Sequence, residues 1–157
     1  MIIKQDDFSD LRVKELLEHH LRGMHAASPP GHVFALDVSG LQKPGISFYT
    51  GREGALVVVM GALKELPDRV GEIKSMRVAE GQSGKGYGEA MLLHIIAEAK
   101  RRGLNKLSLE TGTSEAFAAA LALYQKHGFS EGEKFADYEK SEFCKFLHLE
   151  LSTSPPL

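Results

Sequence analysis

The chain has 157 residues, of which 43% are hydrophobic, with a formal charge of −2 and one cysteine, Cys144. That length suits one domain around one core. The dispersed charge leaves no basic stripe for a nucleic acid or an anionic membrane, and one cysteine excludes an intrachain disulfide and a four-cysteine zinc site. The opening stretch MIIKQDDFSD meets acids early, and no window nears the ~20 apolar residues of a membrane helix. A cytoplasmic chain with no nucleic-acid or membrane partner is the expectation.

In chain order, residues 1–4 read as a short edge strand. Beyond Asp6 and Asp7, Val13, Leu16, Leu17, Leu21 and Met24 recur at helical spacing. The stretch 28–43 holds Pro29, Pro30, Gly31 and Gly40, with Pro44 following, and reads as a loop with a short strand or a helical turn. Residues 46–49, 55–64 and 70–78 are β-branched and apolar runs separated by GREG and PDR, which predicts three consecutive antiparallel strands. After GQSGKGYG, an apolar face of Met91, Leu92, Ile95, Ile96 and Ala99 runs to Lys100, Arg101 and Arg102 and stops at Gly103, a strong helix signature.

Residues 106–111 alternate as a strand. Ser114 is a candidate cap for a helix carrying Phe117, Ala120, Leu121 and Tyr124 on one face before Gly128. Two closing strands are expected at 129–134 and 143–151. The domain therefore spans 1–151, and STSPPL, residues 152–157, reads as a flexible tail. This order of elements predicts a mixed α/β (α+β) architecture: a central mixed, mostly antiparallel sheet with helices on both faces.

Gly84, Gly86 and Gly88 lie between a predicted strand and the strongest predicted helix, so their amides converge where the helix dipole is positive. That arrangement suits a pyrophosphate, with Lys85 supplying charge and Ser83 a hydroxyl. GQSGKGYG lacks a hydroxyl residue directly after GK and lacks GxGxxG spacing, which removes the nucleotide P-loop and dinucleotide readings.

EIKSMRV, SGKGYG and LYQKHGF, in this order and spacing, resemble the GNAT superfamily of N-acetyltransferases over nearly the whole chain. The resemblance implies a GNAT-like acyl-CoA N-acyltransferase fold, acetyl-CoA as cosubstrate and direct acetyl transfer to a primary amine of a small molecule or peptide; no metal is expected, since no HExxH or comparable pattern occurs. A homodimer is the matching expectation for assembly. The alternative is a catalytically silent acyl-CoA-binding or regulatory module of the same fold.

By that resemblance, the strand carrying Met76, Arg77 and Val78 offers backbone hydrogen bonds to the pantetheine, with the Met76 amide aimed at the acetyl oxygen. The loop residues Ser83, Gly84, Lys85, Gly86, Tyr87 and Gly88 hold the pyrophosphate. Ser83 departs from the family's Gln or Arg, and Phe117 stands where many members carry Asn near the pantetheine. Tyr124 matches the family's acid for the departing thiolate, and a phenol stays protonated near neutral pH.

Glu72, four residues before Met76 and expected on the same face, is the candidate base, with Glu110 and Asp137 as weaker ones. His19, His20, His25 and His32 form no ligand pattern and read as surface histidines. Cys144 reads as inert packing.

Overall fold

The computed structural model describes residues 1–33 and 35–151, so the tail expected at 152–157 lies outside the described residues. The N-terminal strand β1 (Ile2–Gln5) pairs antiparallel with β2 (Ile46–Glu53), and β2 continues antiparallel into β3 (Leu56–Leu66) and β4 (Val70–Val78). The three consecutive strands expected from the apolar runs are present, with β2 running on through Gly51 and Arg52. β4 then pairs in parallel with β5 (Lys106–Gly112), and the sheet closes through β7 (Cys144–Glu150) to a two-residue β6 (Ser130–Glu131) at its edge. The strand order is β1-β2-β3-β4-β5-β7-β6, a mixed and mostly antiparallel sheet of seven strands.

Helices cover both faces because each presents an apolar stripe that the sheet buries. On one face α1 (Leu11–Ala27) packs Val13, Leu16 and Leu17 with Phe48, Met60 and Ala62, next to the short α2 (Val38–Leu41). Asp10 caps α1 by accepting from the Arg12 amide at 2.9 Å. On the other face α3 (Tyr87–Arg101) buries the stripe read from the sequence, Met91, Leu92, Ile95, Ile96 and Ala99, against Val59, Leu63 and Ile73, and α4 (Ala118–Lys126) adds Tyr124. No described helix is long and apolar enough to cross a membrane.

Ser114 does not act as the expected helix cap. A 3₁₀ turn over Glu115–Phe117 precedes α4, and the Ser114 hydroxyl donates instead to the Ala27 carbonyl at 2.9 Å, tying this turn to the end of α1.

Strand β4 departs from regular geometry on both of its edges. Opposite β3, Met60 faces Arg77 while Ala62 faces Lys74, so Gly61 meets the pair Ser75 and Met76, and Ser75 sits at φ 57 in the left-handed region. This is a β-bulge, and its extra residue inverts the alternation of side chains downstream. Ile73, Met76 and Val78 pack toward α3, whereas Glu72 and Lys74 bond to each other and Arg77 reaches His20 of α1. The expectation that Glu72 and Met76 share a face is therefore overturned: it holds for a regular strand, and the bulge intervenes. The second irregularity is on the β5 side, where pairing covers Val70, Gly71 and Glu72 and then ends, so the two parallel strands splay apart beyond Glu72.

Candidate active site

The splay opens a wedge of about 100 Å³, walled by Ile73 to Met76 on β4 and by Leu109, Glu110 and Thr111 on β5, and reached by Tyr124, Tyr138, Phe117 and His20. A longer cavity of about 510 Å³ joins it through Met76, Phe117, Tyr124 and His20 and extends to the glycine loop. A third, of about 440 Å³, meets the wedge at Glu72, Lys74 and Tyr138 and runs between His32, Lys64 and the segment from Ala136 to Ser141. The wedge is thus a junction between two chambers.

At the glycine loop, Gly84 (φ 78) and Gly86 (φ 82) adopt left-handed conformations, and Gly86 is the residue preceding α3, with no side-chain cap. Side chains other than glycine rarely tolerate such torsions, which explains the glycines on backbone grounds. The Gly86 carbonyl receives the Ala90 amide at 3.0 Å, so the amides of Tyr87, Gly88 and Glu89 precede the first intrahelical bond. They sit at the positive end of the helix dipole, a setting that fits an anion such as a diphosphate.

Ser83, Gly84, Gly86 and Gly88 line the long cavity together with Met76, Arg77 and Val78. Lys85 and Tyr87 are not among its lining residues: Lys85 turns to donate to the Gln82 side chain at 3.0 Å, and Tyr87 packs against the core. Glu89, also in the lining, would oppose an anion. Its charge is offset by hydrogen bonds from Lys126 (2.7 Å) and His127 (2.9 Å), which hold its carboxyl below the usual range. This pair of donors lies 37 and 38 residues from Glu89 in the sequence and had no sequence signal.

Phe117, where the sequence departs from Asn, forms part of the wall shared by wedge and long cavity. Its ring lies on Gly112 so closely that a Cβ there would fall 2.2 Å from Cε2. Gly112→Ala is therefore expected to push the ring aside and lower stability by about 1–3 kcal/mol, the usual range for overpacking, read by denaturant titration.

Tyr124 is buried, and burial pushes its phenol up to about 12, so it carries its proton throughout the physiological range. Glu72 is 2% exposed, and one carboxylate oxygen accepts from the Tyr138 hydroxyl at 2.5 Å and from Lys74 Nζ at 3.3 Å. The Tyr138 hydroxyl also accepts from Lys74 at 2.7 Å, which closes a buried triangle. Glu110 stands across the wedge on β5. Burial pushes its carboxyl up to about 7, Lys74 opposing and Glu72 adding to the rise. Asp137 belongs to the wall of the third chamber, outside the wedge.

The four histidines do not share one role. His20 is 4% exposed, contrary to the surface reading, because it lies on the inner face of α1 against the sheet. Its Nδ1 accepts from Arg77 Nε at 2.9 Å, and since a guanidinium donates and does not accept, the ring proton resides on Nε2. Burial, with the Arg77 charge, pushes His20 down to about 3, so the ring is neutral. Among the described residues, no three His, Cys, Asp or Glu side chains converge as a metal site. Cys144 is buried, with its thiol directed to the Glu139 carbonyl, and lines none of the three cavities.

A sheet that splays beside a glycine-lined helix start, with a buried phenol and a carboxyl of raised pKa at the junction, is an arrangement suited to acyl transfer. The acetyltransferase (GNAT) family model matches residues 12–129, and the chain belongs to that family. It is similar to the N-acetyltransferase YedL of Escherichia coli strain K12, with 44% identity over 95% of this chain and 94% of the relative. A solved structure from Klebsiella pneumoniae, assigned to the acyl-CoA N-acyltransferases, superposes with a TM-score of 0.80 at 25% identity, covering 96% of this chain and 97% of that one. A Bacillus subtilis acetyltransferase in complex with CoA shares the fold, with a TM-score of 0.71 at 21% identity over 96% and 98% of the two chains. The protein is an acetyltransferase of the GNAT family.

Proposed function

We propose that this chain, one domain over residues 1–151, transfers the acetyl group of acetyl-CoA directly to a primary amine of a small molecule or peptide. The diphosphate rests on the amides that open α3, between Ser83 and Gly88, and the pantetheine follows Met76, Arg77 and Val78 past Phe117. The thioester then lies in the wedge. The amine enters from the chamber between His32, Lys64 and Ala136 to Ser141, whose lining mixes both signs of charge.

Within the wedge the base role passes from Glu72 to Glu110. Glu72 is engaged by Lys74 and Tyr138, whereas Glu110 titrates near neutral pH, where a general base works best. The amine nitrogen bonds to the acetyl carbon, its proton goes to Glu110, the carbon–sulfur bond breaks, and Tyr124 meets the leaving sulfur with its phenolic proton. The Met76 amide faces the acetyl oxygen. No metal takes part. The cytoplasmic homodimer read from the sequence belongs to the same proposal.

The observation that carries this reading is the placement of Glu110 and Tyr124 in one wedge that opens to the glycine loop on one side and to a solvent-connected chamber on the other. The test is release of CoA thiol from acetyl-CoA against a panel of amino acids, polyamines and short peptides, alongside calorimetry with acetyl-CoA. Saturable thiol release with acetylated product supports it; binding without release for any amine would reduce the chain to a silent acyl-CoA module.

Gly86→Val tests the cradle. A β-branched residue at φ 82 is strained by roughly 1–2 kcal/mol, and relieving it turns the first amides of α3. The expected result is a rise of about tenfold or more in the acetyl-CoA dissociation constant, a factor equivalent to about 1.4 kcal/mol.

A further inference from the structure

We infer that the Ser75 hydroxyl is a catalytic hydrogen-bond donor to the acetyl oxygen, acting beside the Met76 main-chain amide. The inference rests on the acetyl-transfer reading above.

Ser75 is 8% exposed and lines the wedge, and its Oγ is itself buried with no hydrogen-bond partner among the described residues, so a rotation about χ1 is the movement that presents it to a ligand in the wedge. It is also the bulge residue at φ 57. Each feature is unfavourable for folding by itself: a left-handed torsion favours glycine, and a buried hydroxyl without a partner is less stable than a methyl group or a hydrogen. Glycine would form the same bulge without strain, and alanine would remove the unmet hydroxyl. Serine retains both penalties, so the fold gives no reason for it, whereas a ligand oxygen in the wedge does.

The neighbouring groups select which ligand atom that is. An attacking amine needs an acceptor, and Glu110 is present for it. The acetyl oxygen gains negative charge as the nitrogen adds, and it needs donors. Lys74 donates to Glu72 and to Tyr138, the Tyr138 hydroxyl donates to Glu72, and Tyr124 is assigned to the sulfur. Thr111 on β5 also brings a hydroxyl to the wedge, but Ser75 is favoured over it because it directly precedes Met76 in the chain, next to the amide it would pair with on one oxygen.

The experiment compares Ser75→Ala and Ser75→Gly with the wild type by thiol release from acetyl-CoA, using the amine that scores highest in the panel. Calorimetry with CoA and thermal unfolding accompany it. The expected result is a fall in kcat of about 10- to 100-fold in both variants, in line with loss of one oxyanion donor. CoA affinity should stay within about twofold, and Ser75→Gly should unfold at or above the wild-type temperature. Should the alanine variant fail to fold, the glycine variant decides the matter.

Turnover within about twofold of wild type in the folded variants overturns the inference and leaves acetyl transfer standing. A loss of CoA affinity as large as the loss of kcat also overturns it, by making Ser75 a structural part of the bulge. A wild-type protein with no turnover on any amine sinks both readings together.

Discussion

Glu110→Gln is expected to lower kcat by about 10²- to 10⁴-fold, the range typical of a lost general base, equivalent to about 3–5 kcal/mol in the barrier. The effect should appear in kcat with little change in acetyl-CoA affinity, since Glu110 lies outside the lining of the long cavity. In the wild type, the rate should climb with pH as the carboxyl loses its proton near 7, and this ascending limb should vanish in the variant.

A second readout separates the base from a structural carboxylate. The folded-state value near 7 lies above the ordinary 4.5, so the folded protein holds this proton more tightly than the unfolded chain does. The associated stability is full below about 4.5 and is lost as pH rises through about 7. A glutamine side chain has no proton to lose. The variant should therefore match the wild type at low pH and unfold at a higher temperature above pH 7, while being far less active there. A variant that is inactive and also less stable at pH 8 would point to a structural role for Glu110.

Tyr124→Phe should lower kcat by about 10- to 100-fold, at or below the lower end of the usual range for acid catalysis. A thiolate is a fair leaving group, with a reference pKa for a thiol of about 8.5 in water, so the reaction does not need complete protonation in the transition state. Within this wedge the balance shifts, because burial raises the energy of a bare thiolate as it raises that of the phenolate. Tyr124 is held protonated up to about 12 by its surroundings, so under the proposed mechanism it has a proton to offer the sulfur across the working range. The wild-type profile should accordingly show no descending limb from this group below about pH 10. Unchanged kcat in a folded Tyr124→Phe protein that still binds CoA would remove the residue from the chemistry.

The order of strands and helices was legible in the sequence because it rests on local periodicity: the apolar face of α3 and the alternating and β-branched runs of the sheet read directly as elements. The glycine loop was legible too, since glycine between a strand and a helix implies a left-handed torsion, which Gly84 and Gly86 show. What escaped the sequence depends on pairing. The bulge at Ser75 is defined by its register against Gly61, and no alternation in β4 itself marks it, so the expectation that Glu72 and Met76 share a face fails. The engagement of Glu72 by Tyr138 spans 66 residues, and the neutral state of His20 needs both burial by the sheet and the Arg77 donor 57 residues away. Glu110 looked like one strand carboxylate among several because its raised value comes from burial in a wedge that exists only once β4 and β5 diverge.

The triangle of Glu72, Lys74 and Tyr138 has a consequence for how this enzyme could change its substrate. Tyr138 belongs to the irregular stretch between β6 and β7, whereas Glu72 and Lys74 belong to the sheet, so this phenol helps to pin a replaceable wall onto a permanent floor. Evolution or an engineer could exchange most of that wall to reshape the third chamber while the glycine loop at the start of α3 stays untouched. Such a graft must keep a tyrosine at position 138, the peg on which the interchangeable panel hangs, together with Phe135, whose ring packs on Phe146 and His148 of β7.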